Sequence, residues 1–108
     1  MGWVRLAAAS DFDATGLIGV EHGGLKVALY RVDGEFYATS NVCTHQAALL
    51  SRGEIVEGCI ECPAHFGLFE IRTGKALGAP VSRDLRTYEV KLVDGAIFVD
   101  LPDQSAAP

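Results

Sequence analysis

Apolar positions recur along this chain in short runs, broken at close intervals by Gly, Asp and Asn. That pattern predicts strands rather than helices. Trp3–Ala7, Leu17–Glu21, Leu25–Val32 and Glu35–Thr39 read as the first four strands, with a turn over Ser10–Asp13 and a tight connection at His22-Gly23-Gly24. Asp33-Gly34 is a hairpin signal, because an Asp-Gly pair tolerates the positive φ of a type I′ turn. The device recurs at Asp94-Gly95, between Tyr88–Val93 and Ala96–Leu101. Tyr88, Val90 and Leu92 alternate there with Glu89, Lys91 and Val93, the period of a half-buried strand. The chain is therefore expected to be all-β.

Between these halves, from Asn41 to about Ser82, glycines are frequent and long alternating runs are missing. The segment reads as an insertion into a β framework that resumes afterwards. Within it, Glu54–Val56 and Glu57–Ile60 are candidate strands. Phe69–Arg72 is another, closed by Thr73-Gly74, and Ala47–Leu50 could make a helical turn. The insertion also holds the candidate chemistry: Cys43 and His45 in Asn-Val-Cys-Thr-His-Gln, then Cys62 and His65 in Glu-Cys-Pro-Ala-His-Phe-Gly, with sixteen residues between the pairs.

This C-x-H…C-x-x-H arrangement resembles the ligand set of the Rieske family, whose members hold a [2Fe–2S] cluster with two cysteines on one iron and two histidines on the other. A loop that offers Cys and then His two or three residues later can reach both irons. Soft thiolates suit one ferric ion and imidazoles the other. Two ferric ions, two sulfides, two thiolates and two neutral imidazoles sum to zero charge, so an electron is added more easily than to a cluster held by four thiolates. Potentials of roughly −150 to +300 mV follow, against about −400 mV for plant-type ferredoxins. Two Cys and two His also make a structural zinc site. A C-x-H pair must fold back sharply to put both atoms on one ion, and the matched half-motifs, with Pro63 and Gly67 in the second, favour the cluster.

Length and charge narrow the options. The 108 residues and 11.5 kDa make one small domain, 1–108. A net charge of −5 argues against nucleic-acid binding, which wants a basic face. It suits solubility, or steering toward basic partners. Three cysteines, an odd number in a short chain, do not make a secreted disulfide framework, and reduced cytoplasmic conditions fit them. Cys59, outside the motif, is expected to be a small buried hydrophobe. No apolar run approaches the ~20 residues of a membrane span. The first residues do not look like a signal peptide, and Leu6 stands where a myristoylation signal wants Ser or Thr. Residues 104–108 are expected to form a flexible tail. His22 reads as a turn residue, and Asp11 and Asp13 as turn formers rather than acid–base groups.

From about Val4 to Leu101 the chain is similar to the small ferredoxin components of bacterial ring-hydroxylating dioxygenases, naphthalene-dioxygenase-like systems in particular. Ile60–His65 and Arg72–Val81 carry that likeness. The resemblance implies a Rieske-type antiparallel β-sandwich, with a basal framework (1–40 and 82–103) and an inserted smaller cluster-binding subdomain (41–81). It implies that Cys43 and Cys62 bind the inner iron of one [2Fe-2S] cluster, and His45 and His65 the outer. It implies a one-electron carrier, not an enzyme, that serves a flavin-containing ferredoxin reductase and a terminal oxygenase as a monomer. Gly78-Ala79-Pro80 resembles the proline loop that covers the cluster in this family, or is an ordinary turn.

Departures from the pattern carry information. Gln46 stands where Gly commonly follows the first histidine. Ala48 and Ala64 stand where high-potential relatives of respiratory complexes have disulfide-forming cysteines. Gly67 replaces a serine that donates a hydrogen bond to cluster sulfur in those relatives. Losing that donor lowers the expected potential toward the bottom of the Rieske range. Reduction should couple to proton uptake at alkaline pH through the outer imidazoles. Leu68 is expected to pack, while Phe66 fits either packing or a docking rim. Two other readings remain open: the small Rieske-like subunit of another reductase such as a nitrite reductase, and a zinc-stabilised binding module.

Overall fold

Short Xaa-Gly pairs turn the chain four times. Asp33-Gly34, Glu57-Gly58 and Asp94-Gly95 hold positive φ at both residues, as does Gly23-Gly24, and each pair joins consecutive antiparallel strands. Positive φ at both central positions is the signature of the type I′ turn, whose twist matches that of the flanking strands.

The computed structural model describes residues 2–44, 48–64, 66–78, 81 and 83–102. Its strands are β1 (Gly2–Ala8), β2 (Leu17–His22), β3 (Leu25–Val32), β4 (Glu35–Ser40), β5 (Glu54–Val56), β6 (Cys59–Glu61), β7 (Leu68–Glu70), β8 (Thr87–Tyr88), β9 (Val90–Val93) and β10 (Ala96–Leu101). They form three antiparallel sheets, ordered β1-β10-β9, β2-β3-β4-β8 and β5-β6-β7. Among the described residues there is no α-helix. Two short 3₁₀ turns occur, over Ala9–Asp11 and Leu50–Arg52. Among these residues no helix is long and apolar enough to cross a membrane.

β3 is the wall between two cores. Successive side chains on a strand point to opposite faces. Val27 and Leu29 go to one core, with Ala38 of β4 and Ile97, Val99 and Leu101 of β10. Ala28 and Tyr30 go to the other, with Leu50, Ile60, Phe69, Val81 and both Cys43 and Cys62. All four residues from Val27 to Tyr30 are fully buried. The one polar contact of Tyr30 is satisfied: Thr39 Oγ1 donates to the Ser40 carbonyl at 2.8 Å, which leaves the Tyr30 hydroxyl to donate to Thr39 Oγ1 at 2.7 Å.

Four expectations are corrected. Tyr88–Val93 is not one strand. Thr87 and Tyr88 pair with Thr39 and Ala38 of β4, and the chain then crosses at Glu89 so that Val90–Val93 pairs with β10. Alternation alone does not say which sheet supplies the partner. Glu57 is in a turn, so the strand expected over 57–60 is β6, from Cys59 to Glu61. The strand expected over Phe69–Arg72 runs from Leu68 to Glu70, because the chain reverses until the Gly74 amide donates back to the Glu70 carbonyl at 2.7 Å. The helical turn expected over 47–50 falls partly outside the described residues. Leu49 is extended and bridged to Val42, and the 3₁₀ turn follows at Leu50–Arg52. The tail at 104–108 lies outside the described residues.

Candidate metal centre

Each candidate cysteine opens a loop, and the two loops are closed alike. The Cys43 amide donates to the carbonyl of Ala48 at 2.9 Å, and the Cys62 amide to the carbonyl of Gly67 at 2.7 Å. In both, the acceptor lies five residues on, so a closed ring of backbone starts at the sulfur-bearing residue. Below the first loop, Val42 bridges Leu49 and the Leu50 amide donates to Asn41 at 2.8 Å. Below the second, β6 and β7 pair through Glu61 and Leu68.

Both sulfurs end in the same core. Cys43 and Cys62 are buried, free of disulfides, and packed with Leu50, Ile60, Phe69 and Val81. Burial pushes the Cys62 thiol up to about 11, the hydrogen bond with the neighbouring Cys43 thiol adds to this, and the Ala64 amide opposes it. Two thiols side by side in an apolar core are poor nucleophiles. They become metal ligands only when a cation displaces their protons.

A third segment ties the loops together. Thr44, next to Cys43, donates its hydroxyl to the Arg83 carbonyl at 2.7 Å. Gly67 packs on Val81 so closely that a Cβ built there would lie 2.6 Å from Val81 Cγ1. Val81 and Leu85 are buried, and the Leu85 amide donates to Gly74 at 2.7 Å. The Asp84 carboxylate accepts from the Ala76 amide at 2.9 Å. Residues 79 and 80, where a covering proline loop was expected, lie outside the described residues.

A family model for the Rieske [2Fe-2S] domain matches residues 2–89. The chain belongs to the Rieske [2Fe-2S] family. It is 44% identical over 99 residues to the ferredoxin component of the naphthalene 1,2-dioxygenase system of Pseudomonas putida, which covers 92% of this chain and 95% of that protein. Among solved structures it is similar to a Sphingomonas yanoikuyae B1 ferredoxin, at TM-score 0.87 and 35% identity, covering 94% of this chain and all of that one. It is also similar to a chain of a complex of reduced oxygenase and oxidized ferredoxin in carbazole 1,9a-dioxygenase, at TM-score 0.84 and 37% identity, covering 90% of this chain and 100% of that chain. A nitrite reductase small subunit, at 23% identity and TM-score 0.78, shares the fold alone. The Rieske chain described here is accordingly a ferredoxin component of an aromatic dioxygenase system, a carrier of electrons rather than a catalyst.

The Rieske cluster fits the donors present. Adjacent buried thiols on two matched loops suit the cysteine-bound iron. His45 and His65 lie outside the described residues, as does Gln46. Among the described residues no cluster of three or more His, Cys, Asp or Glu could hold a metal. Ala48 and Ala64 put methyl groups against the same core as the two cysteines, so the disulfide of the high-potential relatives has no counterpart at these positions. Cys59 is half-buried at the start of β6, rather than buried as expected. Burial first, then the carboxylates of Glu70 and Glu57, push its thiol up. His22 ends β2, exposed and paired with Leu25.

One residue that the sequence reading missed is Asn41. Its Nδ2 donates to Ser51 Oγ at 2.9 Å, and its Oδ1 accepts from the Ser51 amide at 2.7 Å. Gly19 of β2 makes the room, since a Cβ there would lie 2.5 Å from Ser51 Oγ. No spacing rule links these three positions. The available signal was an Asn two residues before a candidate ligand, in a segment that had to be anchored.

Proposed function

We propose that this chain passes single electrons from a flavin-containing reductase to the terminal oxygenase of an aromatic-ring dioxygenase system, acting as a cytoplasmic monomer. In this reading Cys43 and Cys62 hold the inner iron of the cluster, and His45 and His65 the outer. The bound cluster supplies the one-electron couple. The protein supplies a dry pocket for the thiolates and a rigid frame for the loops. The same reading divides the chain into a basal framework, 1–40 and 82–103, and a cluster-binding subdomain, 41–81.

The observation that carries the ligand assignment is the matched closure of the two loops around one apolar core. The match over nearly the whole length of a dioxygenase ferredoxin supports the carrier role. Reconstitution tests it. Purified protein is mixed with a candidate reductase, oxygenase and aromatic substrate. Product that forms only when this component is present supports the reading. A colourless protein that carries zinc, or one that leaves product formation unchanged, overturns it.

A further inference from the structure

We propose that Phe66 is an aromatic anchor by which this ferredoxin docks on the terminal oxygenase. The inference rests on the partner assignment above and names the contact. Among the described residues, four other than glycine hold positive φ: Asp33, Glu57, Asp94 and Phe66. The first three are exposed polar residues in two-residue hairpin turns, where the turn type demands that backbone. Phe66 is different. It sits at φ 58 in the second cysteine loop, and a bulky aromatic there is a genuine outlier.

Packing does not explain the residue either. Phe66 is 69% exposed, more than any other large apolar side chain among the described residues. Its ring contributes little to the core, and its backbone is strained. Strain of this kind persists where the surrounding structure enforces it, and it collects at functional positions. Gly67, the next residue, is packed on Val81, which fixes the backbone that presents the ring.

Position completes the argument. Phe66 follows His65 directly in sequence. An electron acceptor that approaches the proposed outer iron must come close to it. Redox encounters bury small areas, so a single aromatic can carry a large share of the contact. Leu77, also exposed, donates its amide to the carbonyl of Leu68, two residues on from Phe66, at 2.9 Å. The partner feature implied is an apolar recess at the rim of the oxygenase's electron-entry site.

The test exploits opposite signs. Phe66→Gly removes the ring and relieves the backbone. Cluster-loaded Phe66→Gly and Phe66→Trp are compared with the parent protein for oxygenase affinity, reduction by the reductase, visible spectrum and thermal midpoint. Phe66→Gly should weaken oxygenase binding about tenfold or more, the effect expected of an interface hot spot. Its spectrum should be unchanged and its midpoint equal to or above the parent's. Phe66→Trp should bind within about threefold of the parent. Leu92→Ser, at an exposed apolar position on β9, serves as the control and should change nothing. Oxygenase affinity within about twofold for Phe66→Gly overturns the anchor. So does a lower midpoint, or a loss confined to the reductase step. A parent protein that neither binds the oxygenase nor supports turnover overturns the carrier reading as well.

Discussion

The two cysteine loops share a backbone closure but not a means of support. The first, from Cys43 to Ala48, is held by polar side chains. Asn41 clamps Ser51 beneath it, and Thr44 reaches across to the Arg83 carbonyl. The second, from Cys62 to Gly67, rests on a sheet and on steric fit. β6 and β7 carry its ends, and Gly67 meets Val81 with no space between. The contrast teaches what each loop can tolerate. A loop held by hydrogen bonds fails when a donor or acceptor is removed. A loop held by close packing fails when volume is added.

The largest effect should be shared by both loops. Cys43→Ser and Cys62→Ser each remove one proposed thiolate from the buried pair. Visible absorbance and iron content should fall to background in both, because one remaining thiol cannot hold the inner iron. A variant of either loop that kept a full complement of iron would break the symmetry on which the ligand assignment rests.

Below that, the loops should separate. Gly67→Val forces carbon into Val81, a short branched side chain with little freedom to move. Overpacking of this kind costs about 2 kcal/mol, or roughly 10 °C in the thermal midpoint of a domain this size. Val81→Ala in the same chain should restore part of the loss, and a double-mutant cycle measures how much. Gly67→Ser meets the same obstacle, so restoring the serine of high-potential relatives should need the Val81 change as well.

Asn41→Ala removes both bonds to Ser51 and leaves a part-buried amide without its acceptor. The expected loss is about 1–2 kcal/mol, with faster hydrogen exchange at Ser51 and Leu50. Asn41→Asp keeps the acceptor for the Ser51 amide and should lose less. Exchange in β6 and β7 should not change. If it did, the two supports would be coupled, and the contrast between the loops would be one of degree.

These differences also mark what was legible from sequence. The Asp33-Gly34 and Asp94-Gly95 hairpins were readable because Asp-Gly fixes a turn locally, and the candidate ligands because their spacing is short. The Glu57-Gly58 turn carries no such signal and was not readable. The continuous apolar run Val27-Ala28-Leu29-Tyr30 could have been read as a strand buried on both faces, which β3 is. The clamp on the first loop was not readable. Gly19, Asn41 and Ser51 meet only after β2 and the first loop are brought together, and nothing local announces it. The crossing at Glu89 was hidden for a related reason. Tyr88 and Val90 keep one alternation while their strands join different sheets. Phe66 fitted packing or a docking rim equally well in sequence, and only its left-handed backbone and its exposure separate the two.

The smallest effect concerns the bond that joins the first loop to the segment above it. Thr44→Val keeps the shape of the side chain and removes only the donor to the Arg83 carbonyl. Arg83 is exposed, so water can take the vacated position, and the loss should stay near 0.5–1 kcal/mol. Thr44→Ser, which keeps the hydroxyl, should restore most of it. The same segment is held independently by the Leu85 amide on Gly74 and by Asp84 on the Ala76 amide. Those bonds should keep Leu85 protected from exchange in Thr44→Val. Protection lost at Leu85 would mean that a single hydroxyl beside Cys43 holds the whole segment. The first loop, rather than the packing at Gly67, would then be what fixes the segment over the site.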